Sequence, residues 1–323
     1  MNSSAPDVEQ MRTIARVLSL HFEEGLQQSQ IAAKLGLSTA KVNRLIKQGR
    51  ELGMVQITIK SPFVPLFDLE RELSSRWPLK HCVVVPEVTG SAEATLNQVG
   101  KGAGTLLLEV LQDGDTVAIS AGKALSALIE NLAVDRSFAV NIVPMTGGVQ
   151  GQHYTDVNHI ATELADRLGG HATLLHAPLH TASKQERDLL MSVQSVKSVM
   201  DQVANAAVAL VGVGSVVGSN ATYYEAHPVS EQERQRLYDD GIRGEFLGYL
   251  IDRQGKLSGN GYNSKLVAYA PDLAAEIPVT IGVASGPEKV EPIIAALEGG
   301  YLNSLVTDER TARSVLEMEI EDA

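Results

Sequence analysis

The first fifty residues repeat apolar side chains at three-to-four-residue spacing, which predicts amphipathic helices. Glycines interrupt the pattern: Gly25 follows the first apolar stripe and Gly36 follows the second. Ser38 comes directly after the second glycine turn, and either its hydroxyl or that of Thr39 can cap a third helix. The predicted helices cover residues 8–24, 28–35 and 39–52.

The turn between the second and third helices is short and contains glycine, as in a helix-turn-helix, whose second helix enters the major groove of DNA. The third helix has an apolar stripe, predicted to be buried, made of Val42, Leu45, Ile46 and Leu52. Its opposite side carries basic and polar side chains suited to phosphates and base edges. The residues predicted to contact DNA are Ser38, Thr39, Lys41, Asn43, Arg44 and Lys47.

Residues 54–60 alternate apolar and polar side chains, which predicts a strand that we interpret as one side of a wing. A run of basic residues is also typical of an ordinary solvated helix face. The glycine turn, the capping hydroxyls and the following strand favour DNA binding over that alternative.

Beyond residue 61, short β-branched runs alternate with helical segments. This alternation predicts an α/β domain with a mostly parallel, Rossmann-like sheet covered by helices on both faces. The predicted strands are 81–85, 116–120, 140–144, 172–177, 208–212, 248–251, 279–283 and 304–307. The predicted helices are 92–112, 124–132, 157–168, 186–206, 288–299 and 309–317.

Ligands of such sheets bind outside the carboxyl ends of the strands. Four predicted strands are followed there by glycine-containing turns, which suit close backbone approach to a ligand and, before a helix, an anion. None has the spacing of a P-loop or a dinucleotide fingerprint, so no cofactor is expected. The residues at these turns are Gly122 with Lys123, Thr146 with Gly147 and Gly148, the run 212–215, and the run 284–289 with Lys289.

The balance of acidic and basic residues also changes near residue 61. The formal net charge is -12 over 323 residues. Residues 1–60 nevertheless hold eight basic and five acidic residues, a balance of +3, which leaves -15 for the remainder. A small basic module on a larger acidic body indicates nucleic-acid binding. We therefore predict a helix-turn-helix DNA-binding domain at 1–60 and an effector-binding and oligomerisation domain at 61–323.

Other features narrow the class of protein. No apolar run is long enough for a membrane span, and the first residues lack the apolar core of a secretion signal. The single cysteine, Cys82, fits a thiol in a reducing compartment. These observations predict a cytoplasmic protein with no membrane partner.

Catalytic and metal chemistry has little support. Glu245 precedes a predicted strand and can accept hydrogen bonds from sugar hydroxyls, although an exposed loop acid is an equal alternative. Ser120 lacks the glycine of a nucleophile elbow. The histidines have no zinc-site spacing, so we interpret them as structural and expect no metal and no catalytic residue. They are His153, His159, His171, His176 and His180.

Several segments together resemble the SorC-type (SorC/DeoR-like) sugar-binding transcriptional regulators of bacteria, over nearly the whole chain. The segments are 28–38, 42–46, 146–149, 207–214, 282–289 and 299–308. The resemblance implies a body similar to sugar-phosphate isomerases and deaminases, used as an effector sensor in a homo-oligomer, typically a tetramer. It implies regulation of carbohydrate metabolism through operator DNA.

The resemblance also implies an effector pocket for a sugar, sugar phosphate or polyol. Lys123 departs from the small or hydroxyl residue often found at its turn, and Thr146 stands where some members have arginine. These departures favour a monophosphate or an unphosphorylated polyol over a bisphosphate. The implied pocket residues are Gly122, Lys123, Thr146, Gly147, Gly148, Asn158, Glu245 and Lys289.

Two alternatives remain at this point. One is a sugar-phosphate isomerase or deaminase with an appended DNA-binding domain, which needs a positioned carboxylate base. The other is a body that serves only as an oligomerisation scaffold and binds no small molecule.

Overall fold

The chain divides into two units, Met1–Val64 and Pro65–Ala323. The computed structural model describes residues 8–56, 60–149, 156–217, 223–224, 227, 229–259 and 261–318. Within these residues, no helix is both long and apolar enough to cross a membrane.

The first unit contains three helices around a small apolar core. Helix α1 (Val8–Leu18) continues into one π-helical turn (Ser19–Glu23), so the predicted first helix changes its winding before it ends. Helices α2 (Gln28–Leu35) and α3 (Thr39–Glu51) lie where the pattern predicts them, and Gly36 ends α2 in the left-handed conformation. The buried core comprises Ile14, Val17, Leu18, Leu20, Ile31, Ala32, Val42, Leu45 and Ile46.

The second unit is built on a mostly parallel sheet, which confirms the predicted α/β class. Among the described residues the strand order is β1-β9-β8-β5-β2-β3-β4, all parallel, and an antiparallel hairpin, β6 and β7, extends from the end of β5. The strands are β1 (His81–Val85), β2 (Thr116–Ile119), β3 (Asn141–Pro144), β4 (His171–Ala172), β5 (Val208–Gly214), β6 (Ile242–Phe246), β7 (Tyr249–Asp252), β8 (Val279–Val283) and β9 (Ser304–Asp308).

Helices cover both faces of this sheet. Residues of α5, α6 and α7 share one apolar core with one side of the strands, and residues of α4, α9, α12 and α13 share a second core with the other side. The helices of this unit are α4 (Val64–Arg76), α5 (Ala92–Val110), α6 (Lys123–Glu130), α7 (Val157–Leu168), α8 (Lys184–Ser192), α9 (Gln194–Ala204), α10 (Glu231–Asp239), α11 (Pro271–Ala274), α12 (Val290–Glu298) and α13 (Glu309–Glu317).

Alternation along the strands divides their side chains between the two cores. In β2, Ala118 belongs to one core, and Val117 and Ile119 belong to the other. The sheet is therefore buried on both faces, as parallel sheets are. Among the described residues, the strand ends are therefore the part of the sheet where a ligand can approach.

Four details differ from the sequence prediction. Leu52, predicted to be buried, is 42% exposed because α3 ends one residue earlier, at Glu51. The predicted strand at 172–177 shortens to β4, and the predicted helix at 186–206 is two helices interrupted by Val193, whose backbone is extended. Helices α4, α10 and α11 and strand β6 were not predicted.

Candidate functional site

Helix α3 separates its side chains into a buried and an exposed face. Val42, Leu45 and Ile46 are buried in the core of the first unit. The basic and polar residues predicted to contact DNA lie on the exposed face: Thr39, Lys41, Asn43, Arg44 and Lys47. Five exposed polar or basic side chains within nine residues form a surface that can reach phosphates and base edges.

The N-terminus of α3 is capped by Ser38. Its hydroxyl accepts a hydrogen bond from the backbone N–H of Lys41 at 3.2 Å, and its backbone is extended as in a typical N-cap. Ser38 therefore fixes the start of α3, and its predicted contact with DNA stays a prediction.

The predicted wing strand falls largely outside the described residues, because 57–59 are not among them. Residues 54–56 and 60 have no regular structure. Met54 and Val55 pack against the core of the three helices. The wing itself stays a prediction.

In the second unit, a cavity of about 550 Å³ opens at the carboxyl ends of β2, β5 and β8. Six of the eight predicted effector residues line it: Gly122, Lys123, Thr146, Gly147, Glu245 and Lys289. The cavity thus lies where ligands bind in open α/β sheets.

Glu245 reaches the cavity from β6 rather than from a loop before a strand, as the sequence had suggested. It pairs with Gly214 of β5, and its carboxylate packs so close to Gly214 that a Cβ at that position would overlap it. The backbone N–H of Gly248 donates a short hydrogen bond to its Oε1 atom. The carboxylate is therefore held in place by a strand pair and a turn.

That turn joins β6 to β7 and contains two residues, Leu247 and Gly248. Both have positive φ, 55° and 85°, as a type I′ turn requires. A leucine rarely takes this conformation, which costs on the order of 1 kcal/mol. Leu247 is nevertheless buried and lines the cavity. This strained turn therefore contributes an apolar side chain to the cavity wall.

Lys289 supplies the opposite charge. Its Nζ donates a hydrogen bond to the backbone carbonyl of Val213 at 3.0 Å. Burial lowers the pKa of Lys289, and the carboxylates of Glu288 and Glu245 act in the opposite direction. Burial raises the pKa of Glu245, partly offset by the Gly248 N–H and then by Lys289. Each charge therefore makes burial of the other less unfavourable.

Helix α6 begins at the cavity wall. Gly122 precedes the helix, and Lys123 is its first residue. The helix N-terminus carries a partial positive charge that favours an anion. Lys123 and Lys289 also affect each other electrostatically, since Lys123 lowers the pKa of Lys289. Two lysines and a helix N-terminus thus contribute positive charge to this part of the wall, next to the carboxylates of Glu245 and Glu288.

The backbone amides of the turn at 146–148 were predicted to face a ligand, but they donate hydrogen bonds to other parts of the chain. The N–H of Gly147 donates to Val267 O at 2.8 Å, and the N–H of Gly148 donates to Ala177 O at 2.9 Å. Thr146 and Gly147 line the cavity, but Gly148 does not. These amides stabilise neighbouring loops, and Thr146 is a buried residue of the cavity wall.

Asn158 also lies away from the cavity. Its Nδ2 donates to the carbonyl of Leu175 at 3.0 Å, and its Oδ1 accepts from the N–H of Leu175 at 2.9 Å. The amide group therefore acts like a backbone peptide that fixes the segment after β4. Nothing in this geometry brings it to the effector.

The cavity wall contains residues that the sequence analysis did not identify. His180, interpreted there as structural, lines the cavity together with Leu179, Leu247 and Tyr223. Their segments follow no common local pattern, so only the fold brings them together. No signal in the sequence distinguished His180 from the other histidines.

Metal ligation by the remaining histidines can be judged only where the structure describes them. Within the described ranges, no group of three or more histidine, cysteine or acidic residues could hold a metal ion. The Nε2 atom of His159 lies 3.7 Å from the Oε2 atom of Glu163 on the same helix. His153 lies outside the described residues.

Comparison with known proteins identifies both the family and the fold. Residues 61–317 match the family model described as "Putative sugar-binding domain". The transcriptional regulator LsrR of Klebsiella pneumoniae is 32% identical over 306 residues, covering 94% of this chain and 92% of the relative. LsrR of Escherichia coli K12 is 32% identical over 307 residues, covering 94% of each.

The similarity extends to solved structures. The crystal structure of the full-length sorbitol operon regulator SorC from Klebsiella pneumoniae superimposes with a TM-score of 0.74 at 30% identity. The match covers 96% of this chain and all of that chain. The chain therefore belongs to the SorC family of sugar-binding transcriptional regulators.

Proposed function

We propose that this chain is a DNA-binding regulator of carbohydrate metabolism whose operator affinity is controlled by a sugar, a sugar phosphate or a polyol. The observation that carries the proposal is the half-buried, oppositely charged pair of Glu245 and Lys289 in the wall of a cavity of about 550 Å³. The volume lies within the usual range of small-molecule sites. A carboxylate beside an ammonium suits a ligand with hydroxyls and one anionic group.

For DNA, we propose that α2 and α3 form a winged helix-turn-helix with α3 in the major groove. Lys41, Arg44 and Lys47 would bind phosphates or guanine edges, and Asn43 would pair with an adenine. Ser38 and Thr39 would contact phosphate at the start of the helix. Residues 54–60 would supply the wing.

For the effector, Lys289, with Lys123 and Gly122 at the start of α6, would bind a phosphate. Glu245 and Thr146 would bind hydroxyls, with Gly147 closing the wall. One half-buried ammonium with one helix N-terminus suits a monophosphate better than a bisphosphate, because each extra phosphate needs further cations in a buried site.

For assembly, we propose a homo-oligomer, a tetramer as in SorC-type regulators, whose helix-turn-helix units bind two operator half-sites. The effector would bind one arrangement of the assembly more tightly, and a coupling of about 1–3 kcal/mol would change DNA affinity roughly 5- to 150-fold. A protein bound to operator DNA acts in the bacterial cytoplasm.

The relatives are named as regulators with a sugar-binding domain, and we propose that this chain performs no catalysis. An isomerase would exchange a carbon-bound hydrogen of its substrate with solvent. Incubation with sugar phosphates in deuterated water should give no gain in substrate mass. A catalytic, Glu245-dependent mass gain would establish the enzyme alternative instead.

The central experiment is fluorescence anisotropy of DNA from upstream of the protein's own gene at fixed salt. The complex is then titrated with phosphates of sorbitol, fructose, glucose and ribose, their unphosphorylated parents, and inorganic phosphate. At least one sugar derivative should change the Kd several-fold or more. Tight binding that none of these compounds changes would contradict the sensor function, and failure to bind the DNA would contradict the operator function.

A further inference from the structure

His180 lies in the cavity wall on a firmly held segment. The N–H of Leu179 donates to Gly148 O at 2.9 Å, and the N–H of Thr181 donates to Lys265 O at 3.0 Å. His180 itself forms an antiparallel bridge with Leu266. Because the backbone is bonded on both sides, the position of the imidazole is set before any ligand arrives.

Aromatic rings fix the orientation of the imidazole. It packs against the ring of His227 with centroids 4.4 Å apart and planes at 34°. The ring of Tyr223, which also lines the cavity, meets it edge-on at a centroid distance of 6.4 Å. The ring is therefore restricted by two neighbours from one short segment of the chain.

The Nε2 atom of His180 is buried and has no hydrogen-bond partner among the described residues. A buried polar atom without a partner is unfavourable and is uncommon in native proteins. A phenylalanine would fill the same stack of rings without that cost. A ligand in the cavity that supplied the missing hydrogen-bond partner would remove that cost.

The charge of the ring limits what that partner can be. Burial and the neighbouring His227 lower the pKa of His180 to about 4, so the imidazole is neutral at physiological pH. A neutral imidazole has one donor and one acceptor nitrogen. It suits a hydroxyl, which can donate or accept, and offers no positive charge to a phosphate.

We propose that His180 is a specificity-determining residue whose Nε2 hydrogen-bonds an uncharged hydroxyl of the effector, leaving the anionic group to Lys289. This inference rests on the proposed sensor function. It predicts that the cavity selects ligands with one anionic group and a hydroxyl within reach of His180. It assigns a ligand contact to a residue that carries no charge.

The test compares His180→Phe, which keeps a ring but removes the nitrogen, with His180→Gln, whose Nε2 amide lies near the original nitrogen. The matched control is His227→Phe, because His227 contacts His180 but does not line the cavity. Binding is measured by isothermal titration, using the compound from the anisotropy panel that changes DNA affinity most and its monodeoxy analogues.

His180→Phe should weaken binding of that compound about 10- to 100-fold, with partial recovery in His180→Gln and little change in His227→Phe. One monodeoxy analogue should bind the unaltered protein about as weakly as the parent compound binds His180→Phe. The affinity of that analogue should not fall further in His180→Phe. Equal weakening by His227→Phe would overturn the inference in favour of ring packing. Equal affinity in all variants would also overturn it.

Histidine-labelled full-length protein provides a measurement that depends on no variant being stable. The ¹⁵N resonance of His180 Nε2 should shift when the compound is added and stay in place with the matching deoxy analogue. A ring resonance that does not respond to the bound compound would overturn the inference. If no panel compound binds the unaltered protein, the sensor function fails first, which distinguishes the two outcomes.

Discussion

The exposed face of α3 and the cavity of the second unit both use lysine, in opposite surroundings. Lys41 and Lys47 are exposed to water, whereas Lys289 is half-buried in the cavity wall and donates a hydrogen bond to a backbone carbonyl. An exposed charge is screened by salt, and a partly buried one is screened much less. Salt should therefore weaken DNA binding strongly and effector binding only slightly.

The two regions also differ in how their residues are brought together. The α3 residues come from one helix, so their local spacing predicts the shared face. The cavity residues come from the ends of several strands and from a hairpin, so only the sheet order brings them together. Single substitutions should therefore affect DNA binding or effector binding separately.

The largest effect is expected for Lys289→Met. Removing the ammonium takes away the cation that would bind the phosphate and leaves the half-buried Glu245 without its opposite charge, so phosphosugar affinity should fall by about 3 kcal/mol, roughly 100-fold. DNA affinity without effector should stay unchanged by anisotropy. The control is Lys101→Met, an exposed lysine on α5. If Lys289→Met bound the effector normally, the phosphate would lie elsewhere in the cavity.

The next effect concerns acid stability. The folded-state pKa of His180, about 4, lies below its ordinary value of 6.5, so the unfolded chain binds more protons between these values. Stability is thus fully present above pH 6.5 and is lost as the pH falls towards 4, by about 2 kcal/mol between pH 7.5 and 5. Burial also lowers the pKa of His227, so His227 adds to the loss of stability at acidic pH.

Urea unfolding followed through Trp77, the single tryptophan, measures this loss because Trp77 is buried in the second unit. His180→Gln should reduce the acid sensitivity, and the exposed His176→Gln should not. Equal pH dependence in all three proteins would show that His180 is not the group responsible.

A smaller effect is expected for Arg44→Ala. Loss of one contact from the exposed face should weaken operator binding by about 1–2 kcal/mol, and the slope of log K against log salt should fall by about one if Arg44 binds phosphate. Effector affinity should not change. Arg12→Ala, on the exposed side of α1, is the control with the same charge change. Equal losses in both variants would indicate a general charge effect rather than a groove contact.

The smallest effect is expected for Ser38→Ala. Loss of the N-cap hydrogen bond to the Lys41 N–H should destabilise the first unit by about 1 kcal/mol. Hydrogen exchange of the α3 amides measures this, because the single tryptophan lies in the second unit. Ser29→Ala, an exposed serine inside α2, should cause no loss. If the two variants exchanged alike, the cap would contribute nothing to stability.

The sequence predicted the elements whose patterns are local. Helices α2 and α3 and strands β1 and β8 lie at the predicted positions because apolar spacing and glycine turns act over a few residues. Strand β6 was missed because its five residues include Gly244 and are stabilised by pairing with β5 and β7. Short paired strands depend on partners that are distant in sequence.

The site shows the same division. Lys289 and Gly122 follow strands and were predicted from that position, whereas Glu245 depended largely on resemblance to the family. His180 was missed because its importance comes from burial, from its stack on His227 and from an unpaired nitrogen. None of these properties is visible in a one-dimensional pattern.

The left-handed turn at Leu247 also limits how this family member can diverge. Valine, isoleucine and threonine are strongly disfavoured at positive φ because of their branched Cβ. An evolutionary change of ligand through this position must therefore pass through unbranched side chains, or through glycine, asparagine or aspartate. Selection for a new sugar would reach the neighbouring cavity residues more readily than this one.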